Sequence, residues 1–237
     1  MSSRTPARSR RRRRAAPAVR RVAALAASAL LLAGCSAGPD GPPPVPFEAV
    51  AMPAEAPTAT PGQRLALGDP IALPSADATG AVSDVVATAL LGVVEGQPTY
   101  WSGYEDGERF ADRTPYFAFV QTRWLQGERG PQDEPVLRPF LADGTEVDII
   151  QREVGGISMG GECPYEVPDL RLEEGHDVAE DLACVVYAVP AGQELTELRW
   201  HDVPRIVVQT PDPATHPFLA APVVWEVDPL PATPVEG

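Results

Sequence analysis

Three histidines, His176, His201 and His216, are the side chains best suited to acid–base chemistry near neutral pH. A hydrolase needs a nucleophile, a base and an orienting acid in contact. His176 lies in an acidic stretch, His201 ends a predicted strand, and His216 stands beside a proline. We therefore predict that the protein is not an enzyme and assign it no catalytic residues.

The glycine-rich stretch 155–161 and several acidic clusters are the candidates for phosphate and cation binding. A phosphate loop needs a lysine and a following helix, and the sequence contains no lysine. Calcium needs converging oxygens, usually at alternating positions, and the clusters at 105–108, 173–177 and 180–181 lack this spacing. We predict a flexible loop, a solvated acidic face, no cofactor and no metal site. Weak cation binding is the alternative.

Cys35 follows an arginine-rich start and a short apolar run. Residues 1–21 contain nine arginines and no acidic residue, and residues 22–34 are an apolar run of 13 interrupted only by Ser28. This is the form of a secretory signal, and it is shorter than the roughly 20 residues of a membrane span. The run ends in Leu32-Ala-Gly-Cys35, which resembles the signal of bacterial lipoproteins, whose cysteine sulfur receives a diacylglycerol.

The lipoprotein resemblance implies a signal peptide over residues 1–34 and a lipid anchor on Cys35. Two or three acyl chains hold a protein stably in a membrane, whereas one chain is marginal. The implied location is the extracytoplasmic face of the cell membrane. Two alternatives stay open, namely cleavage near Ala37 without lipidation and export by either the general or the twin-arginine route.

The mature chain would be strongly acidic. Nine of the 19 basic residues precede Cys35, so the ten that remain against 33 acidic residues give a formal charge of −23. Such a surface repels nucleic acid, and we expect no nucleic-acid partner. Cys163 and Cys184 are an even pair in an exported protein, so we predict a disulfide between them. Two buried free thiols are the alternative.

Residues 35–62 are predicted to form a proline-rich tether, because proline opposes both helix and sheet. Fully extended, such a segment reaches roughly 80 Å. Residues 63–228 are predicted to be one all-β domain, and residues 229–237 a disordered tail. The predicted strands are 64–67, 70–73, 82–94, 116–125, 135–141, 146–151, 182–189, 195–200, 205–209 and 222–227.

Two local patterns support the all-β interpretation. Successive residues of 116–125 face opposite sides, which places Tyr116 on one face of a strand and Phe117 on the other. Asp143-Gly144 lies between two apolar runs and predicts a hairpin. Together the strands fit an antiparallel β-sandwich preceded by a disordered N-terminal segment.

Four segments, taken in order along the chain, resemble the immunoglobulin-like domain of small secreted actinobacterial proteins and lipoproteins. This family is similar to the mycobacterial secreted immunogenic antigen of immunoglobulin-like fold. The segments are 92–96, 115–122, 140–145 and 184–192. The resemblance implies an immunoglobulin-like sandwich and an extracytoplasmic location, and it implies no particular activity.

Four aromatic side chains, Tyr100, Trp101, Tyr104 and Phe110, lie between two predicted strands. Exposed aromatic residues often anchor protein partners or glycans, whereas buried ones would cap one end of the sandwich. Together with the anchor and the tether, they predict a non-enzymatic interaction module in the cell envelope. Its expected partner is an envelope protein or a wall polymer. The alternative is a lipoprotein that binds a small ligand or a metal cation.

Overall fold

The computed structural model describes residues 42–76, 82–103, 107–127, 135–154, 157–158, 163–170, 179–201, 214 and 216–231. The predicted signal peptide, Cys35 and the predicted strand 205–209 lie outside these residues. Pro39–Gly237 form one compact unit. Within the described part, no helix is both long and apolar enough to cross a membrane.

The described residues form eleven strands and very little helix. The strands are β1 (Arg64–Leu65), β2 (Ile71–Ala76), β3 (Val82–Glu95), β4 (Arg113–Gln126), β5 (Arg138–Leu141), β6 (Asp148–Val154), β7 (Ile157–Ser158), β8 (Glu180–Pro190), β9 (Leu195–Trp200), β10 (Val223–Glu226) and β11 (Leu230–Pro231). One short α-helix, α1 (Pro217–Ala220), and two 3₁₀ helices, Pro98–Gly103 and Gly107–Phe110, accompany them.

Two sheets pack against each other and confirm the predicted all-β sandwich. The small sheet has the order β1-β10-β9-β5, and the large sheet has the order β11-β3-β4-β8-β6-β7, with β2 also paired to β3. The long pairs are antiparallel, as predicted. Two short ones, β1 with β10 and β11 with β3, are parallel. Because β11 pairs with the end of β3, residues 230–231 are not part of a disordered tail.

The Asp143-Gly144 turn forms, but the two strands beside it do not continue as a paired hairpin. Asp143 Oδ1 accepts a hydrogen bond of 2.9 Å from the Thr145 N–H, and Gly144 has φ 83°. A single antiparallel bridge joins Phe140 to Glu146 across the turn. The strands then separate, because β5 pairs with β9 in the small sheet while β6 pairs with β8 in the large sheet. The turn therefore carries the chain from one sheet to the other.

The strand β4 has the predicted alternation, and both of its faces are buried. Tyr116, Ala118 and Val120 lie in the core between the sheets. Phe117 and Phe119 lie in a second core on the outer face of the large sheet. The neighbouring β8 is buried on both faces in the same way, which explains why Leu182–Val189 is an uninterrupted apolar run.

Residues 43–59, here called the strap, pack against the large sheet instead of forming a tether. Met52 is buried in the outer core. At the far end of the strap, Ala59 is buried in the core between the sheets, and its N–H donates to the Ala72 carbonyl of β2 at 2.9 Å. Proline removes backbone donors and opposes a regular strand, but it permits an extended segment whose apolar residues pack. The predicted boundary at residue 63 is therefore wrong for this part of the chain.

Polar side chains of β4 hold the strap in place. Gln121 is fully buried, and its amide accepts from the Val50 N–H at 2.8 Å and donates to the Val50 carbonyl at 2.9 Å. Arg123 donates to the Met52 carbonyl at 2.8 Å. Glu180 accepts from Gln121 at 3.2 Å and lies 3.5 Å from Arg123. Glu180 is buried, so the predicted solvated acidic face does not include it.

Candidate functional site

The loop between β3 and β4 contains the predicted aromatic residues and is built from two 3₁₀ helices. At its start, Gly96 donates to the Pro115 carbonyl at 2.8 Å. A Cβ at Gly96 would overlap the ring of Phe117, so this close approach requires glycine. The Ser102 hydroxyl donates to the Thr99 carbonyl at 2.7 Å, three residues back, which is the spacing of a 3₁₀ turn.

Trp101 is buried rather than exposed. Only 2% of its surface is accessible, and its Nε1–H donates to the Arg113 carbonyl at 2.9 Å. Tyr100 and Phe110 are half-buried against it, with ring centroids 5.0 and 4.8 Å from the Trp101 ring. Trp101 therefore packs in the core on the outer face of the large sheet. Tyr104 lies outside the described residues.

The aromatic cluster extends well beyond the predicted loop. Tyr100 contacts Phe117 at 5.1 Å, Phe117 contacts Tyr165 at 5.8 Å, and Tyr165 contacts Phe119 at 5.3 Å. Phe47 of the strap continues the row, 5.7 Å from Phe119. Phe117 and Phe119 were predicted only as strand residues. The contribution of Phe47 and Tyr165 to this cluster was not predicted, because both lie far along the chain from the loop between β3 and β4. The available signal was an aromatic residue in each of two proline-rich segments.

A cleft of about 770 Å³ lies between the two 3₁₀ helices. Trp101 forms part of its wall, and Ser102, Glu108 and Arg109 line its rim. The Arg109 guanidinium lies 5.8 Å from the centre of the Phe110 ring, within cation–π range. The cleft thus presents mainly small residues together with hydrogen-bonding and charged groups, while Trp101 itself is almost fully covered.

A second cleft of about 490 Å³ lies between the strap and the segment 163–170. Phe47 and Leu170 contribute apolar walls, and Glu166 and Asp169 contribute carboxylates. Among the residues that the structure describes, no three or more His, Cys, Asp or Glu side chains are grouped so as to hold a metal ion.

The Cys163–Cys184 disulfide is present and fixes one wall of this second cleft. Its Cα atoms are 6.3 Å apart. Cys184 lies in β8 and is fully buried, so the bond attaches the segment 163–170 to the outer face of the large sheet. Tyr165 and Leu170 of the same segment also pack in the outer core.

Neither of the two described histidines lines either cleft. His201 follows β9, and burial is the main cause that lowers its pKa below the ordinary value. Its ring lies 5.8 Å from Phe140. His216 is buried directly before α1. His176 falls outside the described residues.

One motif was missed in the sequence interpretation. Residues 156–160 read Gly-Ile-Ser-Met-Gly, the Gly-x-Ser-x-Gly spacing of a nucleophile elbow. In an elbow the serine sits on a sharp turn between a strand and a helix. Ser158 instead lies in β7, opposite Glu153 of β6 in an antiparallel pair. Ser158 itself therefore has the extended backbone of a paired strand.

No protein-family model, curated protein or solved structure matches this chain. The fold and the two clefts are therefore the basis for a functional assignment, together with the chemistry of the sequence.

Proposed function

We propose that the protein is a lipoprotein anchored through Cys35 to the extracytoplasmic face of the cell membrane. Its β-sandwich acts there as a non-enzymatic interaction module in the cell envelope, with an envelope protein or a wall polymer as its partner. The observation that carries the interaction role is the cleft between the two 3₁₀ helices. The observation that supports the lipid anchor is the sequence Leu32-Ala-Gly-Cys35.

The Cys163–Cys184 disulfide supports an extracytoplasmic location. Such bonds persist in oxidising compartments and are rare in a reducing cytosol. Cys184 is fully buried, so the bond is built into the fold rather than exposed to exchange. The acidic composition also supports a protein or glycan partner over a nucleic acid, because like charges repel.

The cleft supports partner binding through its combination of groups. Trp101 is held rigidly behind the cleft by its bond to Arg113, but only 2% of its surface is accessible, so a ligand in the cleft would contact mainly the exposed residues around it. Arg109 at the rim is exposed and can donate hydrogen bonds to carbonyl, hydroxyl or carboxylate oxygens, and the exposed Ser102 hydroxyl, whose proton is bonded to the Thr99 carbonyl, can accept one. This arrangement fits a polar chain, such as a peptide or a glycan, that forms hydrogen bonds with the exposed groups of the cleft.

Binding can be tested with Ser102→Tyr, which fills the cleft from its exposed rim. The matched control is Ala142→Tyr, which adds the same ring to an exposed turn elsewhere. Lipidated protein purified from membranes would be incubated with envelope extract and recovered. We expect a partner retained by the native protein and by Ala142→Tyr but lost from Ser102→Tyr. Equal retention by all three would exclude this cleft as the binding site.

The cleft between the strap and the segment 163–170 supports a second candidate, a small-ligand-binding lipoprotein. Its apolar walls and two carboxylates suit a small cationic or amphipathic solute. A ligand that binds only the folded protein raises its melting temperature. Thermal shifts produced by such solutes, and absent in Leu170→Trp, would favour this function over partner binding.

A further inference from the structure

The first half of the strap, residues 43–52, is held to β4 through its backbone. The Gln121 amide bonds to both the N–H and the carbonyl of Val50, at 2.8 and 2.9 Å. Arg123 donates to the Met52 carbonyl at 2.8 Å. A side chain that bonds to a backbone N–H and carbonyl together binds an extended peptide through its main chain, independently of the side chain at that position. These bonds therefore recognise the extended conformation of the segment rather than its sequence.

Two side chains of this half add selectivity for sequence. The Phe47 ring packs against Phe119, with ring centroids 5.7 Å apart, and it lies so close to β3 that a Cβ at Gly92 would overlap it. Met52 is buried in the outer core. The sheet thus accommodates an aromatic ring at one place and a methionine five residues further along the bound segment. A phenylalanine is followed by a methionine at this spacing nowhere else in the sequence.

The two halves of the strap are attached to different parts of the domain. The second half pairs with β2, and Ala59 is buried in the core between the sheets. Between the halves the chain bends at Ala54 and Glu55, and both residues are exposed. The bend is therefore a hinge about which the first half can leave while the second half stays in place. The surface that the first half occupies, here called the strap groove, consists of Gly92, Phe119, Gln121, Arg123 and Glu166, whose N–H donates to the Pro43 carbonyl at 2.8 Å.

Opening at this hinge requires less free energy than unfolding the domain. Nine of the residues 43–52 are exposed or half-buried, and only Met52 is buried. Segments with few buried contacts open before the core does. The open groove leaves Gln121 without two of its hydrogen-bond partners and leaves the space beside Gly92 empty. The strap of another copy has the same sequence and restores the same bonds, so exchange changes little except the bend and the translational freedom of the two copies.

We propose that the strap groove is a binding site for an extended, proline-containing peptide with this phenylalanine and methionine spacing, and that the strap of a second copy occupies it, so that two copies exchange straps. This inference depends neither on the lipid anchor nor on the cleft between the two 3₁₀ helices. Within one chain, a short connection gives the strap an effective concentration in the millimolar range. The closed monomer therefore prevails in dilute solution, and exchange increases as copies are crowded together.

A mixture of two full-length variants tests the exchange. Gly92→Ala obstructs the groove and keeps the native strap, whereas Phe47→Ala/Met52→Ala removes both anchoring side chains and keeps the native groove. Each variant would be analysed by ultracentrifugation alone and then mixed at about 1 mM. We expect a heterodimer in the mixture and a monomer for each variant alone.

The matched control replaces the double variant with Glu48→Ala. Glu48 is exposed, so its replacement leaves the strap in its own groove, and the amount of heterodimer should fall at least tenfold. A mixture of the two test variants that sediments as two monomers would overturn the exchange.

A synthetic peptide of residues 43–56 tests the groove itself. Fluorescence anisotropy would follow a labelled peptide as it binds to Phe47→Ala/Met52→Ala and, as a milder variant, to Met52→Ala. We expect both variants to bind it, and at least tenfold weaker binding by the native protein, whose own strap competes. A peptide that carries Met52→Ala should also bind at least tenfold more weakly. Equal affinity for the two peptides, or no binding by either variant, would overturn the peptide site.

Isotope mixing tests exchange with a native groove. A photoreactive amino acid would replace Ala51, which is exposed between Val50 and Met52, in full-length protein prepared with natural nitrogen and with nitrogen-15. The two preparations would be mixed at about 1 mM and illuminated. We expect adducts that join the strap of one isotope to β4 of the other, in a fraction that rises with concentration. Adducts confined to a single isotope would overturn the exchange.

Discussion

Replacing Gln121 with leucine should release the strap from the large sheet. The Gln121 amide makes two hydrogen bonds with the Val50 backbone, at 2.8 and 2.9 Å, and a third with Glu180 at 3.2 Å. Leucine has a similar volume but provides neither a donor nor an acceptor. The substitution therefore removes the polar attachment without opening a large cavity.

The loss of stability in Gln121→Leu depends on the polar groups that the substitution leaves without a hydrogen-bond partner. A buried polar group without a partner costs about 1–3 kcal/mol. The two Val50 backbone groups are only half-buried, so water partly replaces the lost hydrogen bonds. The loss of stability from each group is therefore near the low end of this range. We expect Gln121→Leu to lower the free energy of unfolding by about 2 kcal/mol, or roughly 30-fold in the folding equilibrium constant.

Urea unfolding of the chain lacking residues 1–35 would measure this loss, with Gln126→Leu as the matched control. Gln126 lies on the same strand but is exposed, so its replacement should change stability by less than about 0.5 kcal/mol. Hydrogen exchange at the Val50 amide should accelerate in Gln121→Leu only. If the two variants lost equal stability, or if Val50 exchange did not change, the proposed attachment of the strap would be refuted.

Three further predictions concern other parts of the fold. Replacing Cys163 and Cys184 together with serine should cost about 3 kcal/mol in urea unfolding, because the bond closes a loop in the unfolded chain; an unchanged midpoint would contradict this. Gly92→Ala should lower the melting temperature and displace Phe47, since a Cβ there overlaps that ring; a shift no larger than that of an exposed Gly103→Ala control would argue against the contact. Burial, reinforced by nearby carboxylates, raises the pKa of Tyr116 to about 12 from its ordinary value of 10.0. Its stabilising contribution is thus complete below pH 10 and is lost as the pH rises towards 12, and Tyr116→Phe should flatten that part of the stability profile.

Short-range patterns in the sequence predicted much of the sandwich. The alternation in β4 and the unbroken apolar run of β8 arise directly from two buried faces, so they identified both strands. The Asp143-Gly144 turn was also correct as a local structure. The expected pairing of the two strands beside it was wrong beyond a single bridge, because strand pairing depends on distant residues such as those of β8 and β9.

The strap could not be predicted from its own composition. A high proline content indicates only which backbone conformations an isolated segment can adopt. The residues that hold this segment in place, Gln121 and Arg123, lie about 70 residues away in β4. Two polar residues on an otherwise apolar strand face were the available signal. The loop that contains Tyr100, Trp101 and Phe110 stays a predicted site, and the burial of Trp101 could not be predicted because it depends on a bond to the backbone of Arg113, twelve residues away.

The mass of the N-terminal peptide of the mature protein, isolated from the membrane fraction, tests the central claim most directly. The proposed function requires a peptide that begins at Cys35 and carries a diacylglyceryl group on the sulfur, and Cys35→Ala should abolish both the modification and the membrane association. A mature chain that begins elsewhere, such as near Ala37, or a Cys35 with a free thiol, would contradict the anchor and the membrane-bound interaction role that depends on it.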